Sequence, residues 1–441
     1  MIFGDRMKFQ AKSDRMSGYN FYFPITAPYE ARNIINKMKE NDSTEASKEP
    51  KWPAVYAVSL AVAGLITSEF LPVSILTPIA KDLHITEGTA GQAISITALI
   101  AMFSSLFIAM ITRKIDRRWV LLFFSVLQIF SNILVAFAPS FLVLTTGRIL
   151  LGIAVGGFWA MSTATAMRLV PPRLISKALS IVYASVSIAT VLAAPLGSFL
   201  GSMIGWRNVF LLVAGLGGLS LIWQAVTLPS MPPASPPKFR TLLDVLNHDL
   251  VKKGMLGVLF AFAGYAIFFT YLRPFLENIT NVHVNTLTII LLCYGLANFI
   301  GALIARFMLD RKFSATMALA PFSMCFFTAL LIFSGANMIA ASLCIAFWGL
   351  AFGSVQVGWP TWLTLAIPDE AESGGSILVA TTQLAITLGA GLGGLIFDKT
   401  GIKGTFGLGS LVLFLAALMA ARALKGKIWK VPSGKDSIVH I

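Results

Sequence analysis

Apolar residues in this chain gather into runs of about twenty, and the charged residues collect in the short islands between them. The runs fall at about 54–77, 90–111, 119–138, 141–163, 178–202, 207–227, 254–273, 287–307, 315–334, 338–363, 376–397 and 405–424. A helix of about twenty residues rises about 30 Å, the thickness of a bilayer's hydrocarbon core. The pattern therefore predicts an all-α integral membrane protein of twelve transmembrane helices, arranged as two six-helix bundles over 52–228 and 254–424. Between them, 229–253 holds a stretch rich in proline (Met231-Pro-Pro-Ala-Ser-Pro-Pro-Lys-Phe-Arg240) that cannot continue a helix and reads as a cytoplasmic linker. Polar residues 1–51 lack the apolar core of a signal peptide and are expected to form a disordered cytoplasmic tail, with Met7, Met16 and Met38 as alternative starts. Residues 425–441 are expected to form a second cytoplasmic tail.

The two halves repeat at a nearly constant offset. Asp116-Arg117-Arg118 recurs as Asp310-Arg311-Lys312, and Leu151-Gly152-Ile-Ala-Val-Gly156 recurs as Trp348-Gly349-Leu-Ala-Phe-Gly353. Leu196-Gly197, Gly205 and Phe210 recur as Leu392-Gly393, Gly401 and Phe406. Three matches in order point to the parallel repeats of a transporter.

Composition narrows the class further. The 441 residues are 56% apolar and only 12% charged, about half the charge of a soluble domain. The net charge of +14 is not gathered into a basic face with interleaved aromatics, so nucleic acid is not expected as a partner. It marks topology instead. With the N-terminus inside, only Lys81, Arg207, Arg273, Lys399 and Lys403 fall on external loops, and both termini are expected in the cytoplasm, with the chain in the cell inner membrane. Cys293, Cys325 and Cys344 lie in apolar runs without metal spacing, and His84, His248, His283 and His440 stand apart from any nucleophile or second ligand. No phosphate-binding loop or dinucleotide fingerprint is present. An enzyme is not indicated, no cofactor is expected, and a proton gradient remains as the energy source.

Two ionisable residues lie deep in the runs, Glu69 in the first and Arg148 in the fourth. Helix geometry places them about 12 Å and about 10 Å below the same membrane face, so they can pair directly or through water. Desolvation and a nearby guanidinium pull a carboxylate's protonation in opposite directions, which suits Glu69 to load and release a proton. A static ion pair locking two helices is the other reading.

Gly152, Gly156 and Gly157, with Gly349 and Gly353, suggest close helix packing. Pro195 and Gly197 place a bend in the fifth helix, a candidate gating element. Asp116, Arg117 and Arg118, with their counterparts Asp310 and Arg311, are further gating candidates. Asp116 is placed to bond the start of the eleventh helix near Ser373-Gly374-Gly375-Ser376. Trp159, Tyr265, Tyr271, Asn298, Trp348, Gln356, Trp359 and Gln383 combine flat rings and amides that suit a planar, hydrogen-bonding solute, and are the substrate-binding candidates.

Residues 52–424 resemble the major facilitator superfamily, in its drug:proton antiporter group. The likeness rests on Glu69-Phe70-Leu71-Pro72, Asp116-Arg117-Arg118, Arg148 with Gly152 and Gly156, Pro195 with Gly197, and Gly205-Trp-Arg-Asn-Val-Phe210. Gly157-Phe-Trp-Ala-Met-Ser162, Met167-Arg-Leu-Val-Pro-Pro172, Ala194-Pro-Leu-Gly-Ser-Phe-Leu-Gly201 and Phe269-Thr-Tyr-Leu-Arg-Pro274 are similar to a branch that exports purine ribonucleosides. The resemblance implies a single-chain antiporter exchanging nucleosides such as inosine and guanosine for protons, with Glu69 and Arg148 in proton coupling. Two positions depart from the group's pattern: Thr112 stands where it has glycine, and Ala194 precedes Pro195 where it has Gly-Pro. Efflux of a sugar or drug by the same machinery, or a membrane ligand sensor, are the alternatives.

Overall fold

The computed structural model describes residues 49–171, 174–232, 248–367 and 371–424. The expectations for residues 1–48, 233–247 and 425–441 lie outside these described residues. Six helices form the first half. They are α1 (Trp52–Ser74, continued by Leu76–Asp82), α2 (Glu87–Ile111), α3 (Arg117–Ala136), α4 (Phe141–Leu169), α5 (Ile175–Ile204) and α6 (Trp206–Thr227). The second half opens with α7 (Asp249–Thr270, continued by Leu272–Asn278). Val284–Ser334 then runs for 51 residues. At about 75 Å that is too long for one crossing, and Lys312 breaks it with non-helical angles into α8 (284–311) and α9 (313–334). After α10 (Met338–Ala366), Gly401 divides Ala371–Leu424 into α11 (371–400) and α12 (402–424). Its φ of 72° is a conformation that glycine reaches without cost. The chain is a multi-pass membrane protein, and its large apolar side chains face outward as freely as inward: Leu142 is 75% exposed, Val226 79% and Phe333 86%.

The helices outrun the apolar runs at many ends, because a run records only the stretch at lipid depth while the helix continues into the interface. Here α7 starts at Asp249, within the expected linker. The linker's first residues are also tied down. Arg117 donates its amide to the Met231 carbonyl, and Arg168 reaches the Pro232 carbonyl at 2.6 Å.

The repeat seen in the sequence is a repeat of contacts. Gly152 and Gly156 lie against the backbone carbonyls of Thr97 and Ala101 on α2, where a Cβ would collide. Gly349 and Gly353 lie in the same way against Tyr294 and Asn298 on α8. Each partner is displaced by the same 197 positions as the glycines themselves. Such close approach maximises dispersion between helices where lipid supplies no hydrophobic drive.

The two halves meet most firmly at the end that carries Asp82. Gln92 of α2 donates to the Gly391 carbonyl at 3.0 Å, and Ser95 to the Thr387 carbonyl at 2.6 Å, both on α11. Thr86 donates to Asp398 at 2.9 Å. On the opposite flank, Pro195 of α5 withholds the amide that would bond the Val191 carbonyl, and that carbonyl lies against Gly295 of α8.

Candidate functional site

A cavity of about 230 Å³ lies between the halves, bordered by α1, α4, α5, α7, α10 and α11. Its walls are apolar, with the rings of Phe70, Trp159, Phe262, Tyr265, Phe352 and Trp359 set among aliphatic side chains such as Ile66, Val186 and Ile386. Tyr265 and Phe352 are stacked with centroids 4.1 Å apart and planes within 3°, which presents a rigid, flat platform. Gly257 leaves the space on α7 that the Trp359 indole fills. Polar groups are few, namely Glu69, Gln356, Gln383, Thr190 and Thr382. This is the usual constitution of a small-molecule site, apolar walls with a handful of orienting groups.

Glu69 owes its setting to Pro72. A proline has no amide hydrogen, so the carbonyl four residues earlier, that of Ser68, loses its helical donor. Arg148 supplies the replacement: its Nη1 donates to the Ser68 carbonyl at 2.8 Å and its Nη2 to the Glu69 carbonyl at 3.3 Å. The guanidinium therefore grips the backbone of α1, and of the two pairings expected with the Glu69 carboxylate, direct or through water, the direct ion pair is not formed. Among the described residues, the two side-chain ion pairs are Arg207–Asp82 and Arg273–Glu277. Glu69 and Arg148 instead share a second void of about 20 Å³ with Tyr265, Phe70 and Thr270. That is room for about one water molecule. Oε1 of Glu69 turns the other way and accepts from Nε2 of Gln383 on α11 at 3.4 Å, across the boundary between the halves.

Of the eight substrate-binding candidates, Trp159, Tyr265, Gln356, Trp359 and Gln383 border the cavity. Three do not. Tyr271 is wedged at the Asp82 end against Gly91 and Gly394, and its hydroxyl donates to the Ala390 carbonyl at 2.9 Å. Trp348 is fully buried inside the second half, stacked on Phe268 with its indole donating to Thr328 at 3.0 Å. Asn298 sits at the α8–α10 contact, where its carbonyl faces Gly353. Helix rotation and, for Tyr271, the break in α7 set these placements, and apolar runs without one-sided polarity reveal neither.

Among the described residues, Asp116 bonds within its own half and not to the start of α11 as expected. Asp116 caps α3 by accepting from the Arg118 amide at 2.8 Å, and accepts from the Met231 amide at 2.9 Å and the Ser230 hydroxyl. It clasps the segment after α6, within its own half. Desolvation works to raise its pKa, but these hydrogen bonds and the Arg118 charge win and hold the carboxyl below the usual range. Arg118 adds a bond to the Ala225 carbonyl at 2.7 Å. Asp310 and Arg311 lie exposed beside the Lys312 turn. Pro195 and Gly197 are buried on α5, and Gly197 gives room to Leu71 and Ser74 of α1.

Two groups escaped the sequence reading. Arg273, 4% exposed, pairs with Glu277 at 2.8 Å and donates across the halves to the Ser74 carbonyl. That carbonyl stands free because Pro78, four residues on, has no amide hydrogen to give it. The sequence set it among the external loop cations and in the motif Phe269-Thr-Tyr-Leu-Arg-Pro274, and neither foretold its burial against α1. The second is an amide belt inside the first half, with Asn132 donating to Ser68 at 2.9 Å and Gln224 to Ser125 at 2.8 Å. Those polar residues are scattered among the apolar runs and carry no spacing that joins them.

The family model of the Major Facilitator Superfamily matches residues 58–376 and again 254–436. The chain is 45% identical over 388 residues to the purine ribonucleoside efflux pump NepI of Escherichia coli O1:K1 / APEC, covering 88% of this chain and 98% of that one. It is 46% identical over 393 residues to the protein of the same name from Salmonella enteritidis PT4 (strain P125109), covering 89% and 98%. Among solved structures, an inward-facing, unoccupied bacterial homolog of the human lysosomal transporter Spinster matches with a TM-score of 0.72 at 16% identity, over 86% of this chain and 97% of that one. A D-xylose-proton symporter matches at 0.70 and 16%, over 86% and 100%. At such identity these two likenesses speak for the fold alone.

Proposed function

Since the chain belongs to the major facilitator superfamily, we propose that it is a proton-coupled antiporter that exports purine ribonucleosides such as inosine and guanosine by alternating access. It works as a single chain in the cell inner membrane with both termini in the cytoplasm, needs no cofactor, and draws its energy from the proton gradient. The relatives named for purine ribonucleoside efflux support the choice of solute. The observation that carries the coupling is the position of Glu69, the carboxylate on the wall of a cavity whose other lining residues are apolar or uncharged. A purine ring is flat and edged with donors and acceptors. Tyr265, Phe352, Trp159 and Trp359 offer it faces, and Gln356 and Gln383 offer hydrogen bonds.

In this scheme Glu69 takes a proton when the cavity opens outward, and releases it to water when the cavity opens inward and the nucleoside enters. Inward proton flow then drives outward solute flow. The test uses purified protein in liposomes with an imposed pH gradient and radiolabelled inosine. Gradient-driven movement is expected, with guanosine competing and a sugar or drug failing to compete. Movement that persists unchanged in Glu69→Gln removes this carboxylate from the mechanism, and indifference to the nucleosides removes the assigned solute.

A further inference from the structure

Gln383 joins the two working parts of the cavity. Its Nε2 donates to Glu69, while its Oε1 is buried without a hydrogen-bond partner. The residue as a whole is 6% exposed, so bulk water does not satisfy that oxygen. Gln383 also borders the cavity. A buried carbonyl oxygen left unbonded is costly and is expected to find a partner when one arrives.

We propose that the Gln383 carboxamide relays the protonation state of Glu69 to the solute, presenting the cavity with a hydrogen-bond acceptor when Glu69 is charged and with a donor when it is neutral. The argument follows from what each group can do. An ionised carboxylate only accepts, so it must receive the NH₂ of the amide, and the amide oxygen, covered and unpartnered in this structure, is left for a donor that the solute brings as the side chain shifts toward it. A protonated carboxyl has a hydroxyl to donate. The amide oxygen is the better acceptor for it, so the carboxamide turns about its last bond and leaves its NH₂ toward the cavity. A solute whose N–H or O–H meets Oε1 is thus held by one protonation state and dismissed by the other. Proton and solute exclude each other without touching, as antiport requires. Among the described residues, the other charged or titratable groups facing Glu69 are Arg148 from α4 and Tyr265 from α7. Arg148 is committed to backbone carbonyls.

The relay rests on the proton-coupled nucleoside reading, and the experiment separates the two. Radiolabelled inosine is bound to the purified full chain in lipid nanodiscs across a pH series. For the wild type, affinity falls by up to about tenfold per pH unit as Glu69 takes up its proton. Gln383→Met, which fills the space but carries no amide, is expected to bind about tenfold more weakly at high pH and to lose the pH slope. Gln383→Asn, whose amide falls one methylene short of Glu69, is expected to flatten the slope as well and stands in if the methionine variant does not fold. A residue that merely shaped the cavity would lower affinity at every pH and leave the slope intact. Retention of the wild-type slope in either folded variant overturns the relay alone. Failure of the wild type to bind inosine at any pH overturns the nucleoside reading and the relay with it.

Discussion

The two halves share a backbone frame and differ in the chemistry placed on it. Glu69 and Tyr265 occupy equivalent positions, 196 residues apart, and both border the cavity. The helix breaks that follow them, at Ile75 and Tyr271, are separated by the same 196. Arg148, however, corresponds to Ile345, which is fully buried in apolar surroundings. Around these positions the first half carries its guanidinium and amide belt, while the second carries a pile of rings from Phe268 and Trp348 to Tyr265 and Phe352. Duplicated architecture therefore leaves each copy free to specialise, one toward charge and the other toward flat apolar surface.

The contrast is broken most severely at its acidic position. Glu69→Gln is expected to reduce gradient-driven inosine export to that of protein-free vesicles, whereas Tyr265→Phe, at the matching site, leaves coupling in place; liposome flux compares them directly. Next in size is a transplanted charge. Ile345→Arg puts a guanidinium in the second half, where Phe268 stands at the position equivalent to Pro72 and frees no carbonyl for it, at about 2.5–3.5 kcal/mol. Arg148→Leu, which orphans the Ser68 carbonyl, costs about 1–3 kcal/mol. Thermal unfolding in detergent ranks the two, and a harmless Ile345→Arg would show that the halves differ less than their side chains suggest.

Gly156→Leu and Gly353→Leu test the shared frame rather than the differences. Each forces a side chain into a facing carbonyl and is expected to cost about 1–3 kcal/mol. Equal losses of melting temperature sharpen the equivalence, and unequal losses blur it. A smaller effect, about 1 kcal/mol, is expected for Trp348→Phe, which deletes the bond to Thr328 while keeping a ring on Phe268.

The smallest effect belongs to Asp116. Its carboxyl is held below the ordinary value of 3.8, so its contribution to stability is complete above that pH and is lost as the pH falls through the lowered value. Asp116→Asn is expected to flatten this acid limb of a stability-versus-pH curve.

The fold was almost wholly legible in the sequence, because a bilayer reads segments by length and apolarity, and each run from 54–77 to 405–424 is matched by a helix or by one limb of a bent one. The site was less so. The positions of Glu69 and Arg148 announce themselves by the cost of charge at depth, yet their partners do not. The Ser68 carbonyl is a backbone group released by Pro72, and Gln383 comes from a helix 314 residues away. Trp348 and Tyr271 carry the same chemistry as Trp359 and Tyr265, and only the rotation of α10 and the break in α7 decide which of each pair meets the cavity.

The grip of Arg148 on main-chain oxygens has an evolutionary corollary. Because carbonyls are common to every amino acid, positions 68 and 69 can change identity while the bracket between α1 and α4 stays fastened. Descendants of such a chain are free to exchange one driving ion or cargo for another by rewriting a few side chains, on a chassis that does not have to be reinvented.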